Sequence, residues 1–500
     1  MGKTVAGIAV AVAAVACAGA VVIVSRRIRE RAQRSKCVKI LDEFRQLCAT
    51  PITRLQHVVD ALVVEMHAGL ASDGGSRLKM LPTFVDVLPN GDERGLYYAL
   101  DLGGTNFRVL RVQLGGKEGR VIKQEYEEVA IPHKLMTASG QELFDFIAAE
   151  LASFVHREGE GFKMNGNQQR ELGFTFSFPV KQTAINSGIL IQWTKGFTCD
   201  GVAGKDIVHF LEDSMKKAGL SMKVTALVND TVGTLAGGRY WNEDVVIAII
   251  LGTGTNACYV ERADAINKWN GLLPRSGNMV INTEWGNFWS SHLPKTYADE
   301  GLDADSVNPG EQGFEKLVSG MYMGDVVRRV MLRMAQEADL FGSPIPPKLM
   351  QPYTLTTPNM SKMHMDESHE LKNVTKVLRD AYGITGTSLQ TRKLIYMICE
   401  IVCERGGRLA GAGVVGLLKK IGRDHSGMST HNKKNVSSRP RRTVVAMDGG
   451  LYEHYAKYRD YLQDAVTELL GETAAKNVII ELSKDGSGIG AALLAASHSQ

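Results

Sequence analysis

The sequence predicts an α/β protein of two lobes with related designs. Apolar segments typical of strands alternate with helical segments along the chain, a pattern typical of layered α/β proteins. A strand–glycine–strand unit occurs twice, once around Gly103-Gly104 and once around residues 252–255. At 500 residues the chain is also too long for a single hydrophobic core, so two or more lobes are expected.

Helices are predicted where apolar residues recur at every third or fourth position. Residues 37–70 have this spacing, and Pro51 is expected to divide them into two helices. The same spacing predicts helices at residues 141–156, 313–337 and 388–420, together with a helix that opens at residues 231–236.

Strands are predicted where short apolar runs end at glycine, proline or a polar turn. These runs cover residues 96–101, 106–114, 172–178, 224–228, 245–251, 257–261 and 443–447. The third run ends at Pro179, which cannot donate a hydrogen bond to a neighbouring strand. Residues 426–442 are polar and of low complexity, which predicts a solvated loop, with nuclear import or phosphorylation as the alternative role.

Charge and cysteine content exclude several classes of protein. The net charge is +4, but residues 25–36 alone contribute +5, so the remainder is close to neutral and offers no general attraction for nucleic acid. Seven cysteines, an odd number, argue against a disulfide framework and favour a reducing compartment. Cys399 and Cys403 could share a metal, but no second pair lies nearby, so buried core thiols are the favoured interpretation.

The N-terminus differs from the rest of the chain. Residues 5–24 form an uncharged apolar run of about the length that crosses a bilayer. A basic cluster at residues 26–36 follows this run, whereas a secretory signal peptide carries its positive charge before it. The run is therefore predicted to be a retained signal-anchor, with the body of the protein in the cytosol. A cleaved transit or signal segment is the alternative.

Two glycine-rich hairpins and one aspartate carry the predicted chemistry. The glycines let backbone N–H groups approach an anion closely, and Asp230 lies between the hairpins at the end of a strand. A dinucleotide-binding fingerprint is excluded because residues 256–261 continue as a strand rather than a helix, and no P-loop sequence is present. Two anion cradles and a carboxylate able to accept a proton predict a phosphotransferase for a small hydroxylated substrate.

Three charged residues near these hairpins each have a structural alternative to a functional role. Asp101 could hold hydrated Mg²⁺ or could only bond the local turn. Arg108 could offset phosphate charge or could lie on the surface. Asp230 could take a proton from the substrate hydroxyl or cap the helix that follows it, and these two roles are compatible.

A second group of residues suits a sugar. Residues 176–180 and 191–197 set hydroxyl, amide and basic groups among aromatic side chains, an arrangement that binds sugars but is also common in ordinary loops. Thr194 stands beside Lys195, which could reach a transferring phosphoryl group. Glu284 and Glu315 could accept hydrogen bonds from neighbouring hydroxyls or could lie on the surface.

These residues resemble the motifs of the hexokinase family. The segments that carry the resemblance, in the family's order, are residues 100–108, Ser177-Phe178-Pro179, residues 193–197, residues 228–233, residues 252–257, Asn282-x-Glu284-Trp285-Gly286, Phe314-Glu315-Lys316-x-x-Ser319-Gly320-x-Tyr322 and Asp485-Gly486-Ser487-Gly488. The resemblance implies an actin-like ATPase (ribonuclease H-like) fold whose two lobes close over hexose and MgATP. It also implies ATP-dependent phosphorylation of the 6-hydroxyl of D-glucose, fructose and mannose, the first step of glycolysis.

The resemblance further implies roles for individual residues, with Asp230 as the catalytic base and Lys195 as a second catalytic group. The residues implied to contact the sugar are Ser177, Thr194, Lys195, Asn229, Asp230, Asn256, Glu284 and Glu315. Those implied to serve ATP are Asp101, Gly103, Gly104, Thr105, Asn106, Arg108, Thr253, Gly449, Gly486 and Ser487, with Mg²⁺ held through ATP and water near Asp101 rather than by a dedicated metal site. Two departures are Thr283, where the family usually has Met, and Asp325, where Glu is usual.

The apolar N-terminus that begins Met-Gly-Lys closely resembles that of the membrane-anchored hexokinases of plants. This implies an anchor and basic flank at residues 1–36, a small lobe at 37–225, a large lobe at 226–485, and a C-terminal helix at 486–500 that returns to the small lobe. It also implies a monomer on the mitochondrial outer membrane, facing the cytosol, with a minor nuclear or plastid pool as an alternative. A non-catalytic glucose sensor is the rival function, and the intact first hairpin favours an active enzyme.

Overall fold

The structure of the protein, a computed structural model, describes residues 25, 27–157, 162, 169–194, 196–424, 442–483 and 486–499. The predicted anchor at residues 5–24, Lys195, the polar loop at residues 426–441 and Asp485 lie outside these residues. The described chain forms two compact units. The first contains the residues up to Thr50 with Pro294–Gly310 and Gly320–Gly406, and the second contains Pro51–Leu293, Glu311–Ser319 and the residues from Gly407 onward.

The elements follow one another in an alternating order along most of the chain. The strands are β1 (Leu81–Pro82), β2 (Arg94–Leu102), β3 (Asn106–Gly115), β4 (Val121–Ala130), β5 (Arg170–Phe176), β6 (Val180–Ala184), β7 (Ser187–Leu190), β8 (Met222–Val228), β9 (Val245–Leu251), β10 (Thr255–Arg262), β11 (Asn278–Asn282), β12 (Thr443–Asp448) and β13 (Val478–Leu482). The helices are α1 (residues 27–48), α2 (Ile52–Ala71), α3 (Gly116–Gly119), α4 (His133–Met136), α5 (Gly140–His156), α6 (Ile207–Lys217), α7 (Asp230–Trp241), α8 (Tyr297–Ala304), α9 (Gly313–Val318), α10 (Met323–Ala338), α11 (Pro347–Met350), α12 (Thr357–His364), α13 (Lys372–Tyr382), α14 (Leu389–Lys420), α15 (Gly450–His454), α16 (Ala456–Leu470), α17 (Glu472–Ala475) and α18 (Gly486–Ser497).

The predicted helix break at Pro51 is confirmed, since Pro51 is the N-cap residue of α2. The single helix predicted at residues 313–337 is wrong, because α9 and α10 are separate helices. Ser319, which follows α9, has extended backbone, and Gly320 comes next in the sequence. Serine and glycine are both poorer helix formers than alanine, which favours a break at this point. The apolar spacing continues across the break, so it does not reveal where the helix ends.

Two sheets of the second unit share one topology. In the five-stranded sheet, β4, β3 and β2 are antiparallel neighbours, and β5 and β8 continue the sheet parallel to β2. In the six-stranded sheet, β11, β10 and β9 are antiparallel, β12 and β13 continue parallel to β9, and β1 adds an edge strand. This duplication agrees with the repeated strand–glycine–strand pattern of the sequence. Strand β1 pairs in the six-stranded sheet, although its residues lie in the segment predicted to form the small lobe. The boundaries given for the two lobes remain a prediction.

Helices α7 and α18 cross between these two sheets with their backbones in contact. Helix α7 follows β8 of the five-stranded sheet and packs on β9, β10 and β12, whereas α18 follows β13 and packs on β2, β5 and β8. A Cβ added to Gly490 would lie 1.8 Å from the Gly233 carbonyl oxygen, and one added to Gly233 would lie 2.5 Å from the Ser487 carbonyl oxygen. Only glycine fits at these positions, and the surrounding core contains residues from both sheets and both helices.

The first unit is helical and contains Asp325, one of the two departures from the family pattern. Its carboxylate is fully buried and accepts hydrogen bonds from Arg329 Nε at 2.7 Å, Tyr353 N at 2.7 Å and Arg328 Nη2 at 3.1 Å. Burial alone would raise the pKa of Asp325, but these donors and the charge of Arg328 more than offset it, so the pKa is lowered. The aspartate therefore has a structural role inside this unit.

Cys399 and Cys403 both lie fully buried on α14. This confirms the prediction that they are thiols of the hydrophobic core. Burial raises the pKa of the Cys399 thiol. No group of three His, Cys, Asp or Glu residues in the described part of the chain has the arrangement of a metal site. Within the same residues, no helix combines the length and the apolar character that crossing a membrane requires.

The crossing of α7 and α18 predicts a large loss of stability for Gly490→Ala. The new methyl group would overlap the Gly233 carbonyl, so the helices must separate, and we expect the free energy of unfolding to fall by about 3 kcal/mol. The matched control is Gly488→Ala on the same helix, where the nearest atom is 4.0 Å from the added Cβ. Urea unfolding followed by circular dichroism measures both variants. Equal stability of the Gly490→Ala variant and the parent would contradict the backbone contact.

Candidate active site

The first hairpin joins β2 to β3 and brings three polar side chains together. Ser487 Oγ donates a hydrogen bond to Asp101 Oδ2 at 2.6 Å, which connects the start of α18 to the end of β2. A Cβ added to Gly103 would lie 3.8 Å from both Asp101 Oδ1 and Ser177 Oγ, and one added to Gly104 would meet no atom within 4 Å. Asp101, Ser177 and Ser487 therefore adjoin a stretch of open backbone that a phosphate group can approach closely.

The far side of this hairpin carries an exposed ion pair. Asn106 Nδ2 donates to Glu128 Oε1 at 2.6 Å, and Arg108 Nε lies 3.5 Å from Glu128 Oε2. The Arg108 side chain is half exposed, and Thr105 is exposed at the turn. Exposed ion pairs contribute little free energy, so Arg108 can exchange Glu128 for an anion bound at the hairpin at small cost.

The second hairpin joins β9 to β10 and is braced by Glu315 from α9. Gly252 N donates to the Gly254 carbonyl at 3.0 Å, and Thr253 is exposed at the tip. Glu315 Oε2 accepts a hydrogen bond from Thr255 N at 2.9 Å. A Cβ on Gly254 would lie 2.6 Å from the same carboxylate oxygen, so glycine at this position lets Glu315 reach the hairpin.

The turn after β12 packs directly on this hairpin. Gly449 has a φ of 104°, which favours glycine, and a Cβ there would lie 2.5 Å from the Leu251 carbonyl oxygen. The Gly449 N–H donates to Asp448 Oδ1 at 2.6 Å. At the start of α18, a Cβ on Gly486 would lie 3.2 Å from the Thr234 Cα, so this end of α18 also lies against α7.

Four polar side chains form a continuous hydrogen-bonded chain beside the second hairpin. Asn282 Nδ2 donates to Glu284 Oε1 at 2.9 Å, and Asn256 Nδ2 donates to Asn282 Oδ1 at 2.8 Å. Asn256 Nδ2 also lies 3.3 Å from Glu284 Oε1 and 3.3 Å from Asn229 Oδ1. We call Glu284, Asn282, Asn256 and Asn229 the amide chain.

Asp230 is the first residue of α7 and follows the amide chain directly. The prediction that Asp230 caps this helix is wrong by one residue. Asn229 is the N-cap residue of α7, and its Oδ1 accepts hydrogen bonds from Thr231 N at 3.1 Å and from Thr231 Oγ1 at 2.7 Å. Asp230 Oδ1 accepts from the Thr231 N–H at 2.8 Å, which fixes the orientation of the carboxylate. Asp230 Oδ2 accepts no hydrogen bond from the residues that the structure describes, so a substrate hydroxyl can approach it.

Thr194 lies in the loop between β7 and α6, and its neighbour Lys195 falls outside the described residues. The Thr194 carbonyl accepts from Phe197 N at 3.1 Å, and Trp193 stacks on Phe197 at 5.5 Å between ring centroids. Trp193 and Phe178 also meet edge to face. The aromatic residues of this segment therefore pack in the core and hold the loop, and no described contact joins Thr194 to the amide chain.

A cavity adjoins the amide chain. Its lining is apolar on one side, with Phe176, Phe178 and Leu227, and includes Asn229 and Asn282. The cavity is much smaller than a site that would enclose a whole sugar, so what it shows is that Asn229 and Asn282 border open space.

Sequence reasoning missed two residues here. Asn282 is 5% exposed and occupies the middle of the amide chain. Gln312 has a positive φ of 54°, and its Oε1 lies 2.3 Å from where a Cβ of Gly286 would be. The sequence signal for Asn282 was its place two residues before Glu284 at the end of an apolar strand.

Two glycine hairpins at equivalent places in two sheets, a carboxylate at a helix start and a polar cavity define the class of α/β phosphotransferases for small hydroxylated substrates. Sequence models of the family described as Hexokinase match residues 40–240 and 246–497. The chain is 58% identical to Hexokinase-2 of Oryza sativa subsp. japonica over 96% of each chain, and 57% identical to Hexokinase-1 of Nicotiana tabacum over the whole chain and 99% of that relative. A solved hexokinase from Schistosoma mansoni complexed with glucose superposes with a TM-score of 0.81 and 34% identity, covering 94% of this chain and 99% of that one. The chain belongs to the hexokinase family, and its fold is of the hexokinase type.

The bond between Ser487 and Asp101 predicts a specific loss in the Ser487→Ala variant. The family resemblance assigns Asp101 to MgATP, and the variant removes a donor to its carboxylate, so we expect the affinity for MgATP to fall about threefold to tenfold while hexose affinity is unchanged. The control is Ser497→Ala on the same helix, whose hydroxyl bonds the Leu493 carbonyl. Isothermal titration measures both ligands, and an equal loss for MgATP and hexose would instead indicate a general disturbance of the fold.

Proposed function

We propose that this protein is an ATP-dependent hexokinase that transfers the γ-phosphoryl group of ATP to the 6-hydroxyl of D-glucose, and that it also accepts fructose and mannose. The observation that carries the proposal is the row of three amide side chains that runs from Glu284 to Asn229, the residue before Asp230. To phosphorylate one hydroxyl of a hexose, a site needs a base for that hydroxyl. It also needs a fixed row of donors and acceptors that bind the other hydroxyls. Membership of the hexokinase family supports this assignment.

Sugar binding is assigned to the amide chain and its neighbours. Glu284 and Asn256 offer acceptor and donor groups in an ordered row, and Asn229 borders the adjoining cavity. Glu315, held by Thr255 N, adds a second carboxylate on the far side of the hairpin. Neighbouring hydroxyls of a hexose are donors and acceptors at once, so carboxylates and amides together satisfy them. Ser177, Thr194 and Lys195 are proposed as further sugar contacts.

MgATP is assigned to the two hairpins. The open backbone at Gly103 and Gly104 suits the phosphates, and the N-termini of α7 and α18 favour negative charge nearby. Asp101 would hold the hydrated Mg²⁺, with Thr105, Asn106, Arg108 and Thr253 around the phosphates, and Gly449, Gly486 and Ser487 beside the adenosine. When bound, MgATP supplies the phosphoryl group and the cation that offsets its charge.

The chain's own contribution to the reaction is the handling of one proton and the orientation of one hydroxyl. Asp230, with Oδ1 held by Thr231 N, accepts the proton of the 6-hydroxyl at Oδ2 as that oxygen becomes a nucleophile. The amide chain holds the ring so that the 6-hydroxyl meets this oxygen. Lys195 is proposed to stabilise the transferring phosphoryl group.

Replacing the base tests the reaction. In the Asp230→Asn variant of the full-length chain, the amide cannot accept the proton, so kcat should fall by about a thousandfold or more. Glucose affinity, measured by isothermal titration, should stay within about threefold of the parent, because the amide keeps the shape and the bond to Thr231 N.

The control for this variant is Asp264→Asn, which changes an exposed aspartate paired with Arg262. Substantial turnover by the Asp230→Asn variant would remove Asp230 from the role of base. A parent that binds glucose but forms no glucose 6-phosphate from MgATP would instead be the non-catalytic sensor.

We also propose that residues 5–24 anchor the protein in the mitochondrial outer membrane with its body in the cytosol, where it acts as a monomer. The apolar run and the basic residues after it support this location. The arginines at positions 27, 31 and 34 lie exposed along one side of α1, where they can meet anionic lipid headgroups.

Deleting residues 1–24 should move the protein from the membrane fraction to the soluble fraction, since about 20 apolar residues provide the binding free energy. Membrane flotation of the expressed chain measures this distribution. As a control, replacing Arg27, Arg31 and Arg34 with Gln should leave the anchored protein in the membrane fraction. A truncated chain that still floats with membranes would show that another segment holds it there.

A further inference from the structure

Asn282 lies in the middle of the amide chain and is more deeply buried than the side chains on either side of it. It is the last residue of β11, and its backbone pairs with Cys258 on β10 and with Leu81 on β1. A residue held between two neighbouring strands has little freedom, and its side chain is 5% exposed. We propose that Asn282 is a positioning residue that sets hexose affinity by holding the carboxylate of Glu284, while its oxygen accepts a hydrogen bond from Asn256. This inference rests on the proposed function, because it concerns the same sugar-binding groups.

The direction of each hydrogen bond follows from chemistry. A carboxylate only accepts, so the Asn282 atom that faces Glu284 Oε1 at 2.9 Å must be the amide nitrogen. The Asn282 oxygen then faces Asn256 and must accept from its nitrogen at 2.8 Å. The Asn256 oxygen is in turn directed to the Ala257 N–H, from which it accepts at 2.8 Å. Glu284 thus sets the orientation of the Asn282 amide, and the Ala257 N–H sets that of Asn256, so the two amides fit each other in one orientation only.

The same bonds prepare the site before a ligand arrives. Without Asn282, Glu284 Oε1 would lose its shorter donor, at 2.9 Å, and keep the longer contact with Asn256 Nδ2 at 3.3 Å. The carboxylate would then have to be ordered by the sugar itself, which lowers affinity. The chemical step depends on Asp230 and Thr231 instead, which the amide chain reaches only through Asn229. Loss of Asn282 should therefore act on KM for the hexose more than on kcat.

The Asn282→Asp variant makes this role visible as a pH dependence. The replacement has the same shape, but an oxygen now faces Glu284 Oε1 at the 2.9 Å of the former donor. Two carboxylates at this distance share one proton, and the pKa of one of them is raised strongly. The bond is restored when that proton is present and becomes a repulsion when it leaves. The other carboxylates at the site are Asp230 on α7 and Glu315 on α9, and both are present in the parent, whose pH profile is therefore the reference for the variant.

The experiment compares full-length parent, Asn282→Asp and Asn282→Ala at several values from about pH 5.5 to 8.5, with KM and kcat for glucose at saturating MgATP. At the upper pH we expect KM of the Asn282→Asp variant to be raised on the order of tenfold or more, with kcat changed less than about threefold. At the lower pH its KM should return toward the parent value. The Asn282→Ala variant should have a raised KM with the pH profile of the parent.

The matched control is Asn278→Asp, the same substitution at the exposed first residue of β11, which should match the parent throughout. An Asn282→Asp variant with the parent's KM at every pH would overturn the inference, as would equal losses in kcat and KM. If that variant does not fold, a KM of the Asn282→Ala variant equal to the parent's overturns it. Glucose titration of the parent separates the two proposals, because failure to bind glucose would reject the proposed function itself.

Discussion

The backbone contact between α7 and α18 is the constraint on which the site depends. Each helix follows the last parallel strand of one sheet and packs on the other sheet, so the pair joins two structures of the same topology. Glycine at positions 233 and 490 removes the side chains that would hold the helices apart. The starts of both helices therefore lie near the hairpins, α7 with Asp230 and α18 with Ser487 against Asp101. Substitution at the crossing would move both groups at once, and a Cβ at Gly233 would meet the Ser487 backbone directly.

Neutral amides are the second constraint, because they separate two carboxylates without adding charge. Glu284 lies at one end of the amide chain, and Asn229, the residue before Asp230, lies at the other. Two like charges in direct contact would destabilise each other. Glu284 Oε1 accepts from Asn282, whereas Asp230 Oδ1 accepts from the Thr231 N–H, so each carboxylate has a donor of its own. The burial of Asn282 is tolerable because its amide nitrogen and its amide oxygen are both hydrogen-bonded.

The elements near the site were predictable from sequence because their signals are local. Gly-x-Gly or Asn-Asp directly after an apolar run indicates where the strand ends. For this reason β9 was predicted at its observed bounds, and Asp230 was predicted at the end of β8. Asn282 was not predicted because its role arises from the pairing of β11 with β10, which no local pattern of one sequence contains. The break between α9 and α10 was missed for a related reason, since apolar spacing continues across Ser319-Gly320. The sequence identifies Thr283 only as a departure from the family pattern, and its hydrogen bonds reveal what it does.

Thr283 and Trp285 together explain how Glu284 keeps an unfavourable backbone. Glu284 has a φ of 52°, in the left-handed region that costs a non-glycine residue about 1 kcal/mol or more. On one side, Thr283 donates hydrogen bonds from Oγ1 and from its backbone N–H to the Ala257 carbonyl, at 2.7 and 3.0 Å. On the other side, Trp285 donates from Nε1 to Thr255 Oγ1 at 3.0 Å. Both partners lie on β10, so the turn is fastened on each side to the strand that carries Asn256. Thr283 is 1% exposed, so its departure from the family pattern changes how firmly Glu284 is held rather than what the sugar touches. A Met there would keep the backbone bond to Ala257 and lose only the hydroxyl bond, which accounts for the tolerance of either residue in one fold.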